Sequence, residues 1–90
     1  MSAPAEIDLG APWTLSEEVS LRDEPFGALA YHHGSRRLIF LRSHALVDLV
    51  RDLGNHESAS AALALAPAPS RTACTRAIAS LAASGIIRVR

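Results

Sequence analysis

Lysine is absent from this chain: all nine basic side chains are arginine, and nine Asp plus Glu balance them to zero formal charge, with a pI near 6.9. With no long run of either sign, the chain lacks the broad basic footprint that neutralises nucleic-acid phosphates. The single cysteine, Cys74, excludes an internal disulfide framework and fits a reducing compartment. No apolar run reaches the roughly 18 residues of a membrane span, and the first eleven residues hold neither a basic residue nor an apolar core of signal-peptide length. A glycine-rich phosphate loop, a nucleophile elbow and an extended acidic motif are all missing. The expectation is a cytoplasmic protein with no membrane or nucleic-acid partner, and no enzyme.

What is present centres on Pro25 to Gly54. Two apolar runs, Phe26 to Tyr31 and Arg37 to Leu41, flank the polar segment His32-His-Gly-Ser-Arg36, which is the pattern of a β-hairpin. With Gly34-Ser35 as a two-residue loop and Gly34 at positive φ, His32 pairs with Arg37, Tyr31 with Leu38, Ala30 with Ile39 and Leu29 with Phe40. One face then carries Leu29, Tyr31, Leu38 and Phe40, the other Ala28, Ala30, Ile39 and Leu41. Both are apolar, so something is expected to cover both, the chain itself covering one face or both. Phe40, opposite the equally apolar Leu29, is expected to be a core anchor on either arrangement.

Ninety residues make one domain. Residues 1–12, small and proline-interrupted, read as a flexible tail before a folded domain over 13–90. Trp13 to Leu15 and Val19 to Arg22 alternate as half-buried strands, the second being the better, until Pro25 interrupts the ladder. The hairpin follows in a meander whose third strand is an edge. Ser43 caps a first helix on which Ala45, Leu46, Leu49, Val50 and Leu53 recur at helical spacing up to a stop at Gly54. Ser58 caps an alanine-rich second helix through about Ala66, and Ser70 a third with Cys74, Ala77, Ile78 and Leu81 on its apolar face. Gly85 ends that helix, and Ile86 to Val89 return as a short extended tail. The fold class is therefore α+β, a three-stranded antiparallel sheet followed by three helices.

Four histidines raise the question of a metal. His32 and His33 point to opposite faces of a strand, and neither His44 nor His56 has a cysteine or carboxylate at ligand spacing beside that pair, so neither metal nor cofactor is expected. Cys74 lies on an apolar stripe with no histidine near it and reads as a small buried side chain. Arg36, Arg37 and Arg42 bracket the third strand. Such charges both discourage edge-to-edge aggregation and steer an acidic peptide to the edge.

The order Val19-Ser-Leu-Arg22, Pro25-Phe-Gly-Ala-Leu-Ala-Tyr-His32, Arg36-Arg-Leu38, Phe40-Leu41 and Leu81-Ala-Ala-Ser-Gly85 resembles the PqqD-like RiPP recognition elements, and within them the peptide chaperones of mycofactocin biosynthesis. The likeness covers about Trp13 to Val89. It implies a winged helix-turn-helix-like module without catalysis or cofactor, whose partners are the leader of a ribosomally made precursor peptide and a radical SAM maturase. In such modules the leader adds as a strand to the third strand and lies in the cleft beside the third helix. On this chain those positions are Arg37, Leu38, Ile39, Phe40 and Leu41, with Arg76, Ala79, Ser80 and Ala83. The rival class is a winged helix-turn-helix DNA-binding regulator, but the third helix offers only Arg71 and Arg76 for phosphates or bases.

Overall fold

The computed structural model describes residues 7–90. Its elements are β1 (Trp13–Leu15), β2 (Val19–Glu24), β3 (Gly27–His32), β4 (Arg37–Leu41), α1 (His44–Asp52), α2 (Ala59–Ala64), α3 (Arg71–Ala83) and β5 (Ile87–Val89). β2, β3 and β4 form an antiparallel meander with β4 at an edge, so the sheet-then-helices order is the expected one. The β3–β4 register also follows the expectation: His32 faces Arg37, Tyr31 Leu38, Ala30 Ile39 and Leu29 Phe40.

The turn between them is built differently. His33 to Arg36 form a four-residue loop in which Arg36, not Gly34, adopts positive φ, at 61°. The Arg36 N–H donates to the His32 carbonyl at 2.7 Å, and the Ser35 N–H donates to His32 Nδ1 at 3.0 Å. Gly34 serves close approach instead, because a Cβ there would run into the Glu18 carboxylate.

The faces of the sheet separate cleanly. Ala28, Ala30 and Leu41 are buried and Ile39 packs against the same core, whereas Leu38 and Phe40 lie on the open face. Methyl side chains at 28 and 30 let α1 approach β3, so the bulky face is the one left uncovered. The expectation that Phe40 is a core anchor is therefore corrected: it is 47% exposed, and its neighbour Leu41, at 1%, holds that role.

Ser43 caps α1 and Ser58 caps α2, each side-chain oxygen accepting from the N–H three residues on. Ser70 makes no such bond; α3 instead continues from a 3-10 turn over Ala68–Ser70. Gly54 lies in a second 3-10 turn, Leu53–Asn55, where its missing Cβ makes room for Thr14 rather than supplying a left-handed stop. Gly85 does supply one, at φ 76°, with the Ile86 N–H on the Leu81 carbonyl and the Gly85 N–H on the Ala82 carbonyl.

Two segments expected to be unstructured or merely extended are tied down. Of the expected tail, residues 1–6 lie outside the described residues. Ile7 and Leu9 pack on the core, and the carbonyls of Leu9 and Ala11 accept from Ser60 and Ala59 at 2.8 and 3.2 Å, satisfying donors at the start of α2. β5 pairs antiparallel with β1, Trp13 opposite Val89, and buries Ile86 and Ile87.

Candidate functional site

Among the described residues, β4 has β3 on one side and no strand on the other. Which of its main-chain groups face out follows from the ladder. The His33 N–H donates to the Glu18 carbonyl at 2.8 Å, placing odd-numbered residues around β3 on the β2 side. Even-numbered Ala28, Ala30 and His32 therefore bond β4, and their partners Leu41, Ile39 and Arg37 face inward. The N–H and C=O groups of Leu38 and Phe40 point away from the sheet.

The two ends of α3 lie near the two ends of β4. Its C-terminal end meets the start of β4, where a Cβ on Gly85 would sit 3.9 Å from His32 Nε2. Its N-terminal end lies across a groove of about 220 Å³ from the residues that follow β4, lined by Ser43, Leu46, Pro69, Ser70, Ala73 and Cys74. With about 3.6 residues per turn, Ala73, Ala77 and Ser80 share the flank of α3 that continues this groove. Of the candidates on α3, Ser80 belongs to that flank, Arg76 and Ala83 stand exposed at its outer rim, and half-buried Ala79 turns to the opposite side. Ala73 and Ala77 are additions to the expected set; their spacing was visible, but not the rotation of the helix about its axis.

The charges around the groove are mostly unspent. Arg22, Arg51 and Arg88 pair with Glu24, Asp23 and Glu17, whereas Arg36, Arg37, Arg42 and Arg76 have no carboxylate partner among the described residues. Arg71 is occupied elsewhere: its guanidinium donates to the carbonyls of Leu63, Ala64 and Ala66 and so closes the C-terminal end of α2. That leaves Arg76 as the exposed uncommitted cation of α3.

Each histidine has its own local partner. His33 bonds Ser20, His44 donates to the Pro25 carbonyl, His56 bonds Asp52 and His32 accepts from Ser35. Among the described residues no group of three or more His, Cys, Asp or Glu gathers where a metal could sit, and no helix is long and apolar enough to cross a membrane. Burial pushes the Cys74 thiol above its ordinary range, which disfavours the thiolate. The site offers hydrogen-bonding edge, shallow groove and positive rim, a combination suited to holding an extended chain.

Residues 12–88 match the profile of the Peptide chaperone MftB family. The chain is similar to the peptide chaperone MftB of Mycolicibacterium smegmatis, 44% identical over 60 residues that cover 67% of this chain and 59% of that protein. It is also similar to the proteins of that name from Mycobacterium ulcerans, 43% identical over 60% of this chain and 56% of the relative, and Mycobacterium tuberculosis, 40% identical over 58% and 48%. The chain thus spans about three fifths or less of the length of these curated relatives. No solved structure matches it. Because the family match runs from the residue before β1 into β5, and so takes in the edge, the groove and the core beneath them, the chain belongs to the peptide chaperone MftB family.

Proposed function

We propose that this chain is a non-catalytic chaperone that takes the leader of a ribosomally made precursor peptide as an added strand on β4. It then presents the remainder to a radical SAM maturase in mycofactocin-type redox-cofactor biosynthesis, a cytoplasmic task. The observation that carries the reading is the β4 edge, unpaired among the described residues, with Leu38 and Phe40 main-chain groups outward and, just past the end of the strand, a groove walled by Ala73 and Cys74 of α3. The relatives named as peptide chaperones support it. The contact set is then the main chain of Arg37, Leu38, Ile39, Phe40 and Leu41, the groove residues Ala73, Ala77 and Ser80, and the rim residues Arg76 and Ala83.

Main-chain bonds at about 1 kcal/mol net each, four at most from Leu38 and Phe40, do not exceed the cost of association. Leader side chains must therefore anchor as well. Titration of a labelled leader from a mycofactocin-type precursor peptide, and of duplex DNA, at low salt tests the assignment. Saturable peptide binding without duplex binding is expected, since Arg71 is committed to α2. Saturable, steeply salt-dependent duplex binding without peptide binding would make the chain a DNA-binding regulator instead.

A further inference from the structure

We infer that the sheet face turned away from the helices is a second recognition surface for the same peptide strand: a shelf of Phe26, Leu38 and Phe40 ended by Arg42. The inference rests on strand addition at β4 and concerns the half of the peptide's side chains that the α3 groove cannot reach. Successive residues of an added strand point to opposite faces of the sheet. If one set enters the groove, the next set projects beside Leu38 and Phe40.

That face is built to receive them. Leu38 and Phe40 are 52% and 47% exposed, and the rings of Phe26 and Phe40 stack with centroids 5.7 Å apart and planes 13° from parallel. The stack fixes both rings without burying them, so contact with them orders little that is not already ordered. Arg42 extends the row, its guanidinium carbon 5.0 Å from the Phe40 centroid. Of the five large apolar side chains exposed among the described residues, three gather on this shelf, while Leu65 and Val89 lie on other elements. Clustering of that kind marks an interaction surface rather than scattered exposure.

Charge selects the occupant. Arg36, Arg37 and Arg42 bracket β4 without carboxylate partners among the described residues. A second copy pairing through the same edge would bring two such sets of arginines together across the new ladder, which is unfavourable. The occupant is an extended peptide with two apolar side chains separated by one residue, over Leu38 and Phe40, and an Asp or Glu one further step along at the Arg42 end. Its order is apolar-x-apolar-x-acidic if the strand adds parallel, and the reverse if antiparallel.

The test uses a fluorescein-labelled synthetic leader of a mycofactocin-type precursor peptide and the whole chain. Phe26→Ser lies outside β4 and leaves the edge main chain untouched; it should weaken binding about tenfold with little change in melting. Arg42→Gln should weaken binding at low salt and lose that effect when the leader's shelf-facing acidic residue is made neutral. Leu38→Pro, which deletes an outward amide, is the control for strand addition itself. Loss of binding in Leu38→Pro with Phe26→Ser and Arg42→Gln within twofold of the parent overturns the shelf and leaves strand addition standing. Undiminished binding by folded Leu38→Pro overturns both. A stable dimer that Phe26→Ser dissolves would assign the shelf to a second copy and overturn the inference.

Discussion

Proline at two adjacent positions of β4 should give opposite results. The Ile39 N–H faces inward to Ala30, which is fully buried. Ile39→Pro removes that bond, worth about 1 kcal/mol net, and strands a buried carbonyl at a further 1 to 3 kcal/mol or so. The truncated side chain brings the total to about 3 to 5 kcal/mol. A domain of this size holds roughly 4 to 13 kcal/mol, so this variant should be largely unfolded or melt at least 15 °C or so lower. The Leu38 N–H faces outward, so Leu38→Pro touches no ladder bond and should cost about 1 kcal/mol or less. Its effect appears in binding, where one lost bond and one unsatisfied leader carbonyl amount to about 2 kcal/mol, roughly thirtyfold in Kd, with any loss of the Leu38 side chain from the shelf adding to it. Urea unfolding followed by circular dichroism and anisotropy with labelled leader read both quantities. An unfolded Leu38→Pro beside a folded Ile39→Pro would refute the assignment of inward and outward groups.

Leu41→Ala should cost about 2 to 5 kcal/mol in denaturant unfolding, whereas Phe40→Ala, on the open face, should cost about 1 kcal/mol or less. Gly27→Ala should lose at least about 2 kcal/mol, because φ is 149° and the new methyl would meet the Leu41 carbonyl. The Arg88 guanidinium, bonded to both Glu17 oxygens, holds that carboxyl below its ordinary range, and Asn55 and then His56 do the same for Asp52. Lowered values in the folded state stabilise above the ordinary carboxylate range and lose that contribution as pH falls through them, so melting temperature should drop on acidification, less steeply in Arg88→Gln. Metal analysis of chelator-treated protein should find no stoichiometric transition metal; retention of one would overturn the reading of the histidines as local hydrogen-bonding groups.

The hairpin register was legible because two runs of alternating side chains around a short polar segment admit few pairings, and Ser43 and Ser58 announced their helices by side-chain chemistry. Which face of the hairpin is buried was not legible, since both faces are apolar. The small size of Ala28 and Ala30 decides it, by how closely a helix can approach. The turn escaped because Arg36 takes a conformation that composition assigns to glycine. β1 and β5, three residues each and joined across nearly the whole chain, leave no local signal for their pairing. The edge strand of the candidate site was readable, but the groove flank of α3 depends on rotation about the helix axis, set by tertiary contacts of Cys74, Ile78 and Leu81.

The pairing of β1 with β5 gives the molecule a mechanical weak direction. The Arg90 N–H donates to the Pro12 carbonyl at 2.8 Å, and Trp13 lies opposite Val89. The two outer ends of this ladder therefore leave side by side, and tension applied through them opens it one rung at a time, like a zipper, instead of shearing all rungs together. The Ser16 N–H on the Ile86 carbonyl, inward of the Arg88–Glu17 pair, would resist last, and its rupture would release Ile87 and Ile86 from the core. Before the ladder opens, tension must break the bonds that hold its two tails, the Leu9 and Ala11 carbonyls on Ser60 and Ala59 and the Arg90 guanidinium on the Gly54 and His56 carbonyls, while the β2–β3–β4 sheet, joined along longer ladders, would yield later.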